Sequence, residues 1–183
     1  MKRDELPAGL VCDNGEFFTI EGNPYLLISG RCIPFQDFPS SILNTIDATI
    51  TDDHKACLNV MGFTSKVEMR KQWIACNVSR FDLVPDYLVG EKLINREYVD
   101  CSLRGVCEHE GTLCISLKQS TQLTEKHITV IKLISQGLLN KEIAQIMGIT
   151  EETVKTHTKN IRDKTGMRRK ADFPLFAKRY NII

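Results

Sequence analysis

The chain has 183 residues, 42% of them hydrophobic, with 24 Lys and Arg against 23 Asp and Glu and a formal net charge of +1. That length holds one medium domain and a smaller module. No apolar run approaches the ~20 residues of a membrane span. The opening MKRDELPAGLVCDNG lacks the apolar stretch of a secretory signal, so a cytoplasmic protein without a membrane partner is expected. The near-neutral total hides an asymmetry: residues 1–117 carry 11 Lys/Arg against 17 Asp/Glu, net −6, and residues 118–183 carry 13 against 6, net +7. An acidic regulatory or adaptor domain over 1–117, joined to a basic module over 118–183, is the expected organisation.

Along the first part, EFFTIEGNPYLLISGR predicts a strand or hairpin around a Gly22-Asn23-Pro24 turn. SSILNTIDATI and the stretch from His54 to Asn77 read as helical, with Leu58, Met61, Val67, Trp73 and Ile74 as their apolar residues. The fold class is α+β or mostly α. A phosphoacceptor receiver domain is excluded, because Asp52 and Asp53 lie in the polar stretch DATITDDHK and not at the end of a buried strand. A small-molecule autoinducer domain fits poorly: the region is short and Trp73 is its single tryptophan.

Seven cysteines in a chain expected to be intracellular do not form a disulfide framework. Cys12, Cys32 and Cys57 are scattered, as buried small hydrophobes would be. The segment YVDCSLRGVCEHEGTLC places Cys101, Cys107 and Cys114 close together, with Cys76 just upstream, Gly105 and Gly111 permitting tight turns and His109 as a reserve ligand. Four thiolates satisfy tetrahedral zinc, and the same four suit an iron–sulfur cluster. The spacing, C-x5-C-x6-C, is not the C-x2-C knuckle of a typical zinc site. Unligated, reduced cysteines are the competing reading.

ISLKQSTQ, residues 115–122, reads as a polar linker. Beyond it Thr124 is placed to cap a helix whose Ile128, Val130, Ile131 and Ile134 share one face, and Gly137 stops it. Asn140 is placed to cap a second helix with Ile143, Ala144 and Met147 inward. Gly148 permits a left-handed turn, and Thr150 caps a third helix with Val154 and Ile161 buried. Two helices joined by a tight glycine turn, the second rich in Lys, Thr and Asn, make a helix-turn-helix.

The stretch LTEKHITVIKLISQGLLNKEIAQIMGITEETVKTHTKNIRDKTG resembles the LuxR-type (GerE-like) DNA-binding domain, with LT opening the first helix, NKEIA on the scaffold helix and TVKTH opening the recognition helix. The resemblance covers roughly the last third of the chain and implies an all-α four-helix module. It implies that Lys155, Thr156 and Lys159 face bases in the major groove. Thr153, Asn160, Lys164, Arg168 and Arg169, with Lys170, are better placed for phosphates. A fourth helix would carry the homodimer contact through Leu175 and Phe176, with Asn181 ending it. Departures are His127 where an acidic residue is usual, and Ala171 in place of a hydroxyl cap. The expected function is a sequence-specific transcriptional regulator on double-stranded DNA. Its alternatives are a metal- or iron–sulfur-dependent redox sensor with a DNA-binding output, and an adaptor that docks RNA polymerase. Neither a Ser–His–acid set, a phosphate loop nor an H-E-x-x-H spacing is present, so no enzyme is expected.

Overall fold

The computed structural model describes residues 6–91, 93–180 and 182–183. The first five residues of the opening tract and Asn181, the expected end of the last helix, lie outside the described residues. The chain forms two compact units, one running up to Cys101 and resuming over Val106–Ile115, the other comprising Ser102–Gly105 and Ser116–Ile183.

The first unit opens with β1 (Gly15–Ile20), β2 (Asn23–Ile28) and β3 (Arg31–Pro34), a single 3-10 turn at Phe35–Asp37, and helices α1 (Ser40–Thr49), α2 (Asp52–Val60) and α3 (Lys66–Asn77). It continues with the short strands β4 (Tyr87–Leu88) and β5 (Leu93–Ile94). The sheet runs β3-β2-β1-β4-β5, and every pairing is antiparallel.

The hairpin turns earlier than the Gly-Asn-Pro cluster suggests. Ile20 pairs with Asn23, so Glu21 (φ 50°) and Gly22 (φ 78°) form the turn, and Asn23 and Pro24 are strand residues. Two positive φ values give the primed turn that matches strand twist. Pro24 is tolerated because the β2–β3 ladder begins only at Tyr25, so its missing N–H interrupts nothing on that side.

The expected single helical stretch from His54 to Asn77 is broken at Gly62 (φ 91°), and Ser65 caps a fresh helix by accepting from the Glu68 amide at 3.2 Å. The break resets the angular phase. Leu58, Trp73 and Ile74 are fully buried, whereas Val67 is 51% exposed. α3 packs on β1 and β2, and the core gathers Phe17 and Leu26 of the sheet with Ile42, Ile46, Leu58, Trp73 and Ile74 of the helices. Arg70 of α3 grips Asp47 of α1 through two bonds of 2.7 and 2.6 Å.

The cysteines expected to be buried are not all so: Cys12 and Cys32 are exposed and Cys57 is half-buried. Cys12 lies in the turns ahead of β1, and Cys32 on the edge strand β3, where few neighbours cover a side chain.

The same unit buries carboxyl groups. Glu16 of β1 is fully buried; its Oε1 accepts from the Asp82 amide at 2.7 Å, and its Oε2 has no hydrogen-bond partner among the described residues. Asp86 accepts from the Phe17 amide at 2.9 Å, and Glu97 from the Arg80 amide at 2.6 Å. These bonds tie the irregular chain from Arg80 to Asp86 to the sheet. Burial pushes Glu16 up to about 8, Asp86 to about 10 and Glu97 to about 7, with neighbouring carboxylates adding to each shift.

The second unit is all-α: α4 (Leu117–Thr121), α5 (Glu125–Ser135), α6 (Asn140–Met147), α7 (Glu151–Thr165) and α8 (Asp172–Arg179). The segment expected as an open linker contains α4, started by a Ser116–Gln119 capping box and anchored by buried Leu117. Its polarity is that of a short helix with one buried side.

Candidate nucleic-acid interface

Local sequence positions the module. Val130, Ile131 and Ile134 of α5, Ile143 and Ala144 of α6, and Val154 and Ile161 of α7 are buried together, with Ile128, Met147 and Ile149 packed beside them. Gly148 (φ 64°) ends α6 and Thr150 starts α7, its hydroxyl accepting from the Thr153 amide at 3.2 Å. Glu151 and Glu152 sit in the first turn of α7, where the helix dipole favours anions.

The α6 cap differs from expectation, and the hydroxyl missing at Ala171 is made good by a neighbour. Asn140 is the first residue inside α6 and not its cap; the Glu142 carboxylate accepts the Leu139 amide at 2.6 Å and does that work. Ala171 contributes no cap, and the Asp172 carboxylate accepts the amides of Arg168 and Arg169 at 2.8 and 2.7 Å. Those two bonds, then the nearby arginines, hold the Asp172 carboxyl below its usual range.

His127 takes the place of the acidic residue in the α5 capping box. Its Nδ1 accepts the Thr124 amide at 3.2 Å while its own amide donates to the Thr124 hydroxyl at 3.3 Å. An accepting Nδ1 is an unprotonated one. Burial, then Lys164 and His157, pushes the His127 pKa below the ordinary histidine value. His157 packs edge-on against it, with ring centroids 5.4 Å apart.

α7 turns one face to the core and one to solvent. Lys155, Thr156, Lys159 and Asn160 are exposed, two turns of helix opposite buried Val154 and Ile161. Lys155 holds Glu152 at 3.1 Å, a loose exposed pair of the kind that exchanges readily for a stronger anion. Thr156 donates its hydroxyl hydrogen to the Glu152 carbonyl at 3.0 Å, which leaves its methyl and a lone pair for an outside partner. Thr153 is half-buried and shares its hydroxyl with Thr150 at 2.9 Å.

Other expected residues are spread around this face. Lys164 donates to the Gln122 carbonyl at 2.6 Å, anchoring the end of α7 to the start of the module. Arg168 and Arg169 are exposed in the turn between α7 and α8. Arg162 lies half-buried with its guanidinium 5.9 Å from the centre of the Phe173 ring, so it packs on the core's edge.

A cleft of about 620 Å³ opens beside this face, and Lys141, Lys155, Lys159 and Lys170 all line it. Lys141, in the first turn of α6, escaped the sequence analysis. Its signal is a cation one residue into the scaffold helix, legible only once that helix is set beside α7.

On α8, Phe173 is fully buried and closes the core, Leu175 is 71% exposed, and Phe176 is half-buried with its ring 4.4 Å from Tyr180. Pro174 falls in the first turn, where a missing N–H costs nothing.

Residues 121–177 match the family described as bacterial regulatory proteins, luxR family. The chain is 33% identical over 100 residues to the transcriptional regulatory protein LnrK of Bacillus subtilis, covering 55% of this chain and 43% of that one. It is 36% identical over 75 residues to the DNA-binding transcriptional activator DevR/DosR of Mycobacterium tuberculosis (41% of this chain, 31% of that one). With the nitrate/nitrite response regulator protein NarP of Escherichia coli it shares 44% over 46 residues (25% and 21%). The aligned part of the chain thus spans less than half of each of these relatives. No solved structure matches the chain. With α5–α8 built as the residues demand and the family matched across them, residues 121–177 are a LuxR-type (GerE) helix-turn-helix domain.

Proposed function

We propose that the whole chain is a sequence-specific transcriptional regulator, not an enzyme, that lays α7 in the major groove of double-stranded DNA. The observation that carries this is the exposed Lys155, Thr156 and Lys159 face of α7, set on a buried Val154–Ile161 seam within a luxR-family domain. Lys155 and Lys159 would bond guanine O6 and N7, and the Thr156 methyl would meet a thymine methyl. Thr153, Asn160, Arg168 and Arg169 would hold phosphates, fixing register and giving the salt dependence. Lys141 and Lys170 join that set through the shared cleft, and Lys164 adds charge at the far end of α7.

The exposed Leu175 beside the Phe176–Tyr180 pair supports a second copy packing on α8, and a dimer would read two half-sites one helical turn apart. Among the described residues no helix is long and apolar enough to cross a membrane. Selection from a random duplex library tests the reading. Recovery of one recurrent, two-fold symmetric site is expected. Recovery of no site, together with tight capture of RNA polymerase, would replace it with the adaptor role.

A further inference from the structure

The expected metal ligands Cys76, Cys101 and Cys107 are half-buried and Cys114 is buried. Among the described residues no group of three or more His, Cys, Asp or Glu side chains is placed to hold a metal ion. A carboxylate on α7 carries more.

Glu152 stands two residues before fully buried Val154, about 200° round the helix, so it points away from the core. Its side chain is 79% exposed. Glu152, Thr156 and Lys159, spaced i, i+4 and i+7, form one outward ridge, with Lys155 on its flank. Glu151, one residue earlier, is turned about 100° away and lines the cleft with Lys141. Both carboxylates suit the helix dipole, but of the two it is Glu152 that shares the ridge with Thr156 and Lys159.

A carboxylate on this ridge is unfavourable against a polyanion unless a donor meets it. The donors in the major groove are the amino groups of cytosine N4 and adenine N6. Adenine sets the acceptor N7 beside its amino group, and guanine and thymine present acceptors, which repel a carboxylate. Cytosine offers N4 with no acceptor beside it on that edge, so it fits Glu152 best.

Lys155 completes the match. Its Nζ lies 3.1 Å from Glu152 Oε2. In a C·G pair the cytosine N4 donor and the guanine O6 acceptor are hydrogen-bonded to each other, hence about 2.9 Å apart. The acceptor and donor on α7 therefore have the spacing of the donor and acceptor on the edge of one C·G pair. A carboxylate has acceptor sites enough for Lys155 and for the cytosine hydrogen left free by pairing.

We propose that Glu152 is a specificity-determining residue that, together with Lys155, reads a single C·G base pair, cytosine N4 by Glu152 and guanine O6 and N7 by Lys155. This rests on the placement of α7 in the major groove. A reversed G·C pair sets guanine acceptors against Glu152 and the cytosine amino group against Lys155, so the orientation of the pair is read as well.

The test uses the full chain on the site recovered from the random duplex library, with each base pair changed in turn. Wild type is expected to lose about tenfold when one C·G pair of a half-site is reversed. Glu152→Ala should cut that penalty to about twofold or less. It should also bind random duplex more tightly, because a negative charge facing the phosphates is gone. Asp163→Asn removes a charge from the same face, ~16 Å further along α7, and should leave the reversal penalty as in wild type. A second probe does not depend on how a variant folds. N4-methylcytosine at the same position carries a methyl group where Glu152 needs a hydrogen, and should weaken wild type about tenfold. The inference alone is overturned if reversing each C·G pair of a recovered site affects wild type and Glu152→Ala alike. It is overturned equally if wild type tolerates N4-methylcytosine at every cytosine of that site. Recovery of no site overturns the placement of α7 and the inference with it.

Discussion

The two units treat buried polarity in opposite ways. Among the described residues of α4–α8 the buried polar side chain is His127, a neutral ring satisfied by an amide three residues away. In the first unit the buried carboxyl groups of Glu16 and Asp86 take partners from distant parts of the chain, 66 residues apart for Glu16 and Asp82 and 69 for Asp86 and Phe17. Local satisfaction lets a small module fold from short-range signals. Long-range satisfaction makes the first unit depend on its tertiary structure and on pH.

The largest effect expected is in the first core. Trp73 is the chain's one tryptophan, fully buried, and donates from Nε1 to His54 Nδ1 at 3.2 Å. Trp73→Ala should cost about 3–5 kcal/mol there. If the units fold independently, far-UV circular dichroism will still record a cooperative melt of α5–α8; loss of both transitions would join them into one cooperative body.

The raised carboxyls sharpen the comparison on the alkaline side. Glu16, Asp86 and Glu97 are raised above their unfolded values, so the folded first unit holds protons that the unfolded chain releases. Their contribution is complete below the ordinary carboxylate range and is lost as pH rises through about 7 to 10. Trp73 fluorescence should therefore report a falling denaturation midpoint over that window, with the helical module unaffected. Glu16→Gln, which cannot ionise, should flatten the fall by on the order of 1–3 kcal/mol. An unchanged slope would show that the trio does not set it.

Recognition divides the second unit internally. Lys155→Ala or Lys159→Ala should each lose about 1–3 kcal/mol on a selected site and relax its base preference. Arg169→Ala should weaken selected and random duplexes alike and reduce the salt slope by about one. Equal losses for all three on both duplexes would contradict the division of roles.

The smallest effect expected is acidic. His54 and His127 are held below the ordinary histidine value, first by burial, and each accepts a cap amide through Nδ1. Their contribution is present above the unfolded histidine pKa and is lost as pH falls through the lowered folded values, so both units should weaken below about pH 6.5. His127→Gln keeps a capping-box acceptor that does not titrate. It should remove the acid sensitivity of the helical module, about 1 kcal/mol, and leave that of the first unit in place.

Legibility followed the range of the interactions. Gly148, Thr150, Val154 and Ile161 act within one or two turns of their own helix, and their roles are written in adjacent residues. The misassigned cap of α6 shows the limit even there: Asn140 occupies a plausible position, yet Glu142 takes the Leu139 amide, because a carboxylate accepts an amide more strongly than a neutral side chain. In the first unit the β1–β2 hairpin was readable, but its turn lay one residue earlier, and the two-residue strands β4 and β5 carry too little pattern to detect.

By itself the sequence determined the helix-turn-helix module, its family and the chemistry of its exposed α7 face, since helical periodicity, caps and a glycine turn are properties of neighbouring residues. Only the tertiary structure decided the sheet order, the burial of Glu16 and Asp86, the approach of Lys141 to Lys155, and the bonds by which Arg96 joins Asn77 to Leu113. Each of these joins residues far apart in the chain, and what brings them together is the packing of whole elements on a shared core.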